Sequence, residues 1–197
     1  MLQEHRLRGH LYHKAIHQLS STYCVISSPA NIKHKMASGG CMTLVHKSLR
    51  QLPKCLSTCS STLRDANLKV VLLRLKNCTL ALCNIYLPPN NEHTKLGTMH
   101  NAAQYIQQLG CPWGVFGDFN MTPNELYEMN WSITGKGNIH VADTAKTVNS
   151  PNGRLIDYAV LDQRTQNMIS CTDLVLSLIH ISEPTRPLYI SYAVFCL

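Results

Sequence analysis

The chain has 197 residues, 45% of them hydrophobic, and 18 Lys and Arg against 11 Asp and Glu give a net charge of +7. That length fits a single domain, and no run approaches the roughly 18 consecutive apolar residues of a membrane-crossing helix. The basic balance favours a polyanionic partner such as nucleic acid or a phosphate group.

The opening Met1-Leu2-Gln3-Glu4-His5-Arg6 turns polar at once and lacks the apolar core of a signal peptide. Nine cysteines form no CxxC pair, and Cys24, Cys41 and Cys83 fall in expected strands. This fits reduced, buried thiols in an intracellular protein, the nucleus included. Cys55 and Cys59 have no second half-site and are not read as zinc ligands. His10, His13 and His17 share one helical face and read as titratable surface groups rather than ligands.

Taken in order, Leu11 to Leu19 carries a one-faced helical pattern, and Tyr23 to Ile26 is a strand closed by Ser27-Ser28-Pro29. Asn31 to Lys35 reads as a basic loop, and Gly39-Gly40 opens a strand over Cys41 to His46. Ser48 to Asn67 is weakly patterned. Leu68 to Leu75 and Thr79 to Leu87 form a hairpin about Lys76-Asn77-Cys78. Thr94 to Leu109 is the best helix, with Leu96, Met99, Ala102, Ala103, Ile106 and Leu109 on one face and Gly110 as its stop. Trp113 to Gly117 is a strand buried on both faces, so helix and flanking strands make a β–α–β unit.

Thr122-Pro123-Asn124-Glu125 starts a short helix, with Thr as N-cap and Pro at N1. Loops follow to Asn152, and Leu155 to Leu161 and Asn167 to Cys171 are strands joined by a polar turn. Strands interspersed with a few helices make a mixed α/β domain.

Polar groups recur at the strand ends. In Gly117-Asp118-Phe119-Asn120, Asp118 and Asn120 share a face while Phe119 returns to the core. A carboxylate and an amide beside a glycine suit a metal–phosphate site, although the same pair also favours a plain turn. Tyr86 precedes the strand-stopping Pro88-Pro89, and Glu4 ends the first segment. Asp157 sits within an apolar run, where a buried carboxylate is costly without a partner.

In this order the motifs resemble those of the endonuclease/exonuclease/phosphatase family, which includes AP endonucleases, DNase I and retroelement endonucleases. Gln3-Glu4 is similar to its QE motif, and Gly39-Gly40 to Val45 to its Gly-Gly strand. Tyr86-Leu87-Pro88 resembles its Tyr-x-Pro element, and Gly117 to Asn120 its Gly-Asp-x-Asn motif. Arg154 to Tyr158 resembles its Arg-Ile-Asp-Tyr strand with one extra residue between Arg and Asp, so the match places Asp157 but not Arg154. The resemblance spans nearly all of residues 2 to 173.

The resemblance implies a four-layer α/β sandwich of two mixed sheets flanked by helices, acting as a Mg²⁺-dependent (or Mn²⁺-dependent) phosphodiesterase. Nucleic acid is the implied partner, DNA ahead of RNA, for a monomer without membrane attachment. Glu4 takes the place of the metal-binding carboxylate, and Asp118 that of the group orienting or deprotonating water. Asn120 stands for a donor to the scissile phosphate, Tyr86 for a phosphate-contacting or proton-donating phenol, and Asp157 for a bracing carboxylate. A nucleic-acid-binding module without catalysis and a lipid or inositol phosphatase are the alternatives.

Two family elements are absent, an Asn-bearing first strand and a closing His motif expected after Asp173-Leu174-Val175. From Leu176 to Arg186, and again from Ile190 to Leu197, the sequence resembles translated sequencing adapter. Residues 1–175 are therefore expected to be a domain truncated at both ends and inactive by itself, with 176–197 a non-native tail, so His180 is given no role.

Overall fold

The computed structural model describes residues 1–3, 5–33, 36–49, 67–75, 77–131, 136–141, 154–168, 171–179 and 188–196. Glu4, Cys55, Cys59 and most of the weakly patterned 48–67 stretch lie outside them.

A five-stranded mixed sheet forms the centre. Its strands, β5 (Leu68–Arg74), β6 (Thr79–Tyr86), β7 (Trp113–Asp118), β8 (Gly137–His140) and β9 (Asp157–Asp162), lie in the order β5-β6-β7-β9-β8. β6 and β7 run parallel, joined through helix α2 (Glu92–Leu109), and the other neighbours are antiparallel.

The period-2 alternation of side chains divides this sheet between two cores. Leu68, Val70, Cys83, Ile85 and Val115 join Met99, Ala102 and Ile106 of α2. Val71, Leu82, Phe116 and Ala159 face the opposite way and pack with Val45. Val45 belongs to a second layer in which β1 (Tyr23–Ser27) pairs antiparallel with β4 (Met42–His46). Outside it lies α1 (Gly9–Leu19), whose buried Tyr12 shares a 2.7 Å hydrogen bond with Ser27. Helix, sheet, sheet and helix make the expected four-layer α/β sandwich. Each fully buried large side chain, such as Phe116 or Leu126, contributes about 1.5–3 kcal/mol by leaving water.

Several local expectations need correction. Asn31 to Lys35 is no simple loop, because β2 (Asn31–Lys33) and β3 (Met36–Ser38) pair as a hairpin. Helix α2 starts two residues early, since Asn91 accepts the Thr94 N–H at 2.9 Å and acts as N-cap. Leu96 lies exposed, and Tyr105 is buried on that helix in addition to the expected residues. β8 lies where loops were expected; as a four-residue edge strand it has little room for alternation. The polar turn after β9 is helix α4 (Gln163–Gln166), capped by Asp162, so no strand begins at Asn167.

The short helix after β7, α3 (Pro123–Glu128), forms as expected. Thr122 and Glu125 close a reciprocal capping box at its start. β10 (Cys171–Ile179) and β11 (Leu188–Cys196) pair antiparallel, drawing most of the adapter-like stretch into a hairpin. Short, near-continuous apolar runs of this kind read as strands whatever their origin. No helix among the described residues is long and apolar enough to cross a membrane.

Candidate active site

Because β6 and β7 are parallel, both end at the same edge of the sheet, and antiparallel β9 begins there. Such an edge, at the carboxyl ends of parallel strands, is where open α/β sheets bind ligands. The last residue of β6 is Tyr86, the last of β7 is Asp118 and the first of β9 is Asp157. The register pairs Tyr86 with Asp118 and Asp118 with Asp157, so the three stand in one row across adjacent strands. At about 4.8 Å per strand the row spans about 10 Å. Residues opposite one another share a face, here the face turned toward the β1–β4 layer.

The Phe119 N–H donates to the Ile156 carbonyl at 2.9 Å, which makes Phe119 and Ile156 a hydrogen-bonded pair. Alternation along the ladder then makes Asp118 and Asp157 a non-hydrogen-bonded pair, the type in which side chains approach most closely. Asp157 is buried and Asp118 half-buried. Two carboxylates so placed repel each other.

Asn120 does not extend the row. Its φ of +49° is left-handed, a conformation Asn tolerates better than most residues. The Asp118 carboxylate accepts the Asn120 N–H at 2.9 Å, closing an Asx-turn, and the Asn120 side-chain amide donates to the Leu87 carbonyl at 2.8 Å. The turn and the site are therefore one object. It ties the loop after β7 to the loop after β6 and leaves one amide hydrogen of Asn120 beyond the Leu87 bond. Phe119 goes into the core, stacked on Tyr158 at 4.3 Å between ring centroids. Burial, reinforced by the charges of Glu125 and Asp118, pushes the Tyr158 phenol well above its usual range.

Gly117 is fixed by contact. A Cβ there would lie 1.8 Å from the Ile85 carbonyl oxygen, so only glycine lets β6 and β7 meet beside Asp118. Gly39 and Gly40 have φ of +75° and +91°. A Cβ on Gly40 would enter the His5 ring at 2.6 Å, and one on Gly39 would lie 3.8 Å from the Tyr86 ring. Gly40 thus lets the His5 ring pack against this turn, with the His5 and Arg6 N–H groups donating to the Gly40 and Gly39 carbonyls, while Gly39 is called for by its positive φ and not by crowding.

Sequence reasoning missed two groups. Asn84, two residues before Tyr86 on the same face, is fully buried. Its carbonyl accepts from the Gln3 amide at 2.7 Å, and its amide donates to the Leu2 and Met42 carbonyls and to Thr43. It clasps the segment carrying Gln3 to the central sheet. The signal was a lone amide within Leu80-Ala81-Leu82-Cys83-Asn84-Ile85, costly when unpartnered though less so than the carboxylate in the Asp157 run. The second is Glu125, whose carboxylate meets Arg154 in an exposed ion pair. The Thr122 backbone N–H, then its hydroxyl and Arg154, hold the Glu125 carboxyl below its ordinary range.

A cleft of about 590 Å³ opens beside Asn120 and is lined by Asn90, Lys95, Glu125, Arg154 and Ile156 among others. The paired oxygens of Asp118 and Asp157 have the hard-ligand chemistry that Mg²⁺ or Mn²⁺ accepts together with waters. Among the described residues no three or more His, Cys, Asp or Glu side chains group into a metal site.

No family model and no curated protein matches the chain. Solved structures do. The chain is similar to D. rerio TDP2 complexed with single-strand DNA product, at 16% identity over 97% of this chain and 83% of that one, with a TM-score of 0.58. It is similar to the endonuclease domain of TRAS1, a telomere-specific non-LTR retrotransposon, at 11% identity over 86% and 78%, with a TM-score of 0.57. A 3'-5' exonuclease, NExo from Neisseria meningitidis, matches at 12% identity over 98% and 87%, with a TM-score of 0.53. At such identities the likeness establishes the fold. The chain shares its fold with these three structures.

Proposed function

We propose that this chain carries the core of a divalent-metal-dependent phosphodiesterase that hydrolyses nucleic acid, DNA ahead of RNA. The observation that carries the reading is the row of Tyr86, Asp118 and Asp157 at one sheet edge. A phenol and two carboxylates at adjacent strand ends, with the Asn120 amide tied in behind, suit an in-line attack of water on phosphorus.

In this reading Asp118 orients and deprotonates the attacking water through the carboxylate oxygen not held by the Asn120 N–H. Asn120 donates its remaining amide hydrogen to a phosphate oxygen, which its left-handed backbone and Leu87 bond pre-position. Tyr86 contacts the phosphate or protonates the departing oxygen, and Asp157 braces the row from β9. Glu4 is the proposed metal carboxylate, with Mg²⁺ or Mn²⁺ supplying charge neutralisation at the phosphate when bound. Gln3, its neighbour in sequence, is anchored by Asn84.

The net charge of +7 and the DNA-bearing TDP2 structure of the same fold support a nucleic-acid substrate over a lipid or inositol phosphate. Offering the complete gene product an end-labelled oligonucleotide and a soluble inositol polyphosphate, each with and without Mg²⁺, separates these. Oligonucleotide cleavage that stops on chelation is expected. Phosphate release from the inositol compound alone would replace the nuclease reading.

A further inference from the structure

The cleft beside Asn120 starts where the row ends: Asn120 follows Asp118 by two residues, and Ile156 and Arg154 precede Asp157 by one and three. Its lining includes two cationic side chains, each paired with an acid among the described residues. Lys95 pairs with Glu92 at 3.2 Å, and Arg154 pairs with Glu125.

The second pair is unusual in what holds its acid. Glu125 already accepts the Thr122 N–H at 2.6 Å and the Thr122 hydroxyl at 3.0 Å as part of the capping box. If Arg154 left, the carboxylate would keep both donors, so its charge would stay satisfied. The Arg154 and Glu125 side chains are each 49% exposed, and ion pairs so exposed contribute little to stability. Arg154 is thus a guanidinium fork at the rim of the cleft, restrained by a partner that loses little on releasing it. The fork matches a phosphate bidentately.

We propose that Arg154 contacts the backbone phosphate of a DNA strand lying in this cleft, and that Glu125 competes with the DNA for it. The inference rests on the nucleic-acid reading above and adds a strand-positioning residue to it.

The test is binding of a fluorescein-labelled single-stranded DNA of about 12 nucleotides, long enough to fill one site. It is read by anisotropy with the full 197-residue chain in EDTA, so that no cleavage intervenes. Arg154→Gln is expected to weaken binding about three- to tenfold and to lower the salt slope by about one phosphate contact. Glu125→Gln keeps the capping box, which accepts Gln at that position, and is expected to tighten binding about two- to fivefold. The double variant should remain weaker than wild type, because without Arg154 the Glu125 change has little left to release.

The double variant carries the signature, since charge removal alone would return it to wild-type affinity, whereas loss of a direct Arg154 contact leaves it weaker. Thermal melts of each variant confirm that all are folded. Binding unaffected by either change, or weakened equally by both, overturns the proposal while leaving the nuclease reading intact. No DNA binding by any form, wild type included, overturns both. Loss of the catalytic role of Asp118 alone would leave the Arg154 result standing.

Discussion

Asp118 stands directly opposite Asp157 across the β7–β9 ladder, as a pair without mutual backbone hydrogen bonds. Like charges directly opposite one another on a ladder are destabilising, a cost a binding site recovers when a cation arrives. Asp118→Asn keeps the acceptor for the Asn120 N–H while removing one charge. The variant should melt about 1–4 °C higher than wild type in EDTA. Mg²⁺ should raise the wild-type melting temperature, and that of the variant by less, because Glu4 remains while one neighbouring negative charge is gone. Differential scanning fluorimetry measures both.

Asn84 predicts a large stability effect away from the row. Asn84→Ala would take from the buried Gln3 amide the side-chain acceptor it has here, and from the Leu2 and Met42 carbonyls their second donor, each keeping the other residue's N–H. The expected loss is about 2–4 kcal/mol, read as a lower urea midpoint. Catalysis should suffer as well, because the clasp positions the Gln3 segment against β6.

Gly117→Ala is expected to prevent folding or to cost more than about 4 kcal/mol. The new methyl meets the Ile85 backbone, which cannot rotate aside as a side chain could. Gly97, in an open stretch of α2, is the control. Alanine there should be neutral or stabilising by up to about 1 kcal/mol. Circular dichroism and denaturant melts compare the two.

His5 gives the pH dependence. Its Nδ1 accepts the Leu7 N–H at 3.0 Å, so Nε2 carries the proton and donates to the Ser28 carbonyl at 3.0 Å. Burial lowers its pKa from the ordinary histidine value. Below about pH 6.5 the unfolded chain therefore binds a proton that the folded one resists. Stability should fall as pH drops from about 6.5 toward the depressed folded value. His5→Gln should flatten that part of the urea-midpoint profile relative to wild type.

Much of the layout was legible in the sequence because period and punctuation agreed. The Gly110 stop, the Thr122 cap and the apolar runs of β5 to β7 each have one physical solution. The order of Tyr86, Asp118 and Asp157 along the chain was legible too, but not that they stand in register. Register depends on how β9 pairs with β7, which no local pattern encodes. Asn84 escaped notice because its partners come from residues 2, 3, 42 and 43, far away in sequence. Arg154 could be seen only as misaligned, since its partner Glu125 is 29 residues away. Asn120 looked like either a turn or a ligand, and its hydrogen bonds make it a turn that can also donate.

The central claim is that the Tyr86–Asp118–Asp157 row is a phosphodiester-hydrolysing site. Its most direct test is single-turnover cleavage of a labelled oligonucleotide by the complete gene product in Mg²⁺, wild type against Asp118→Asn. The account predicts chelator-sensitive cleavage by the wild type and a rate lower by about three orders of magnitude or more in the variant. Equal rates for the two proteins would contradict it.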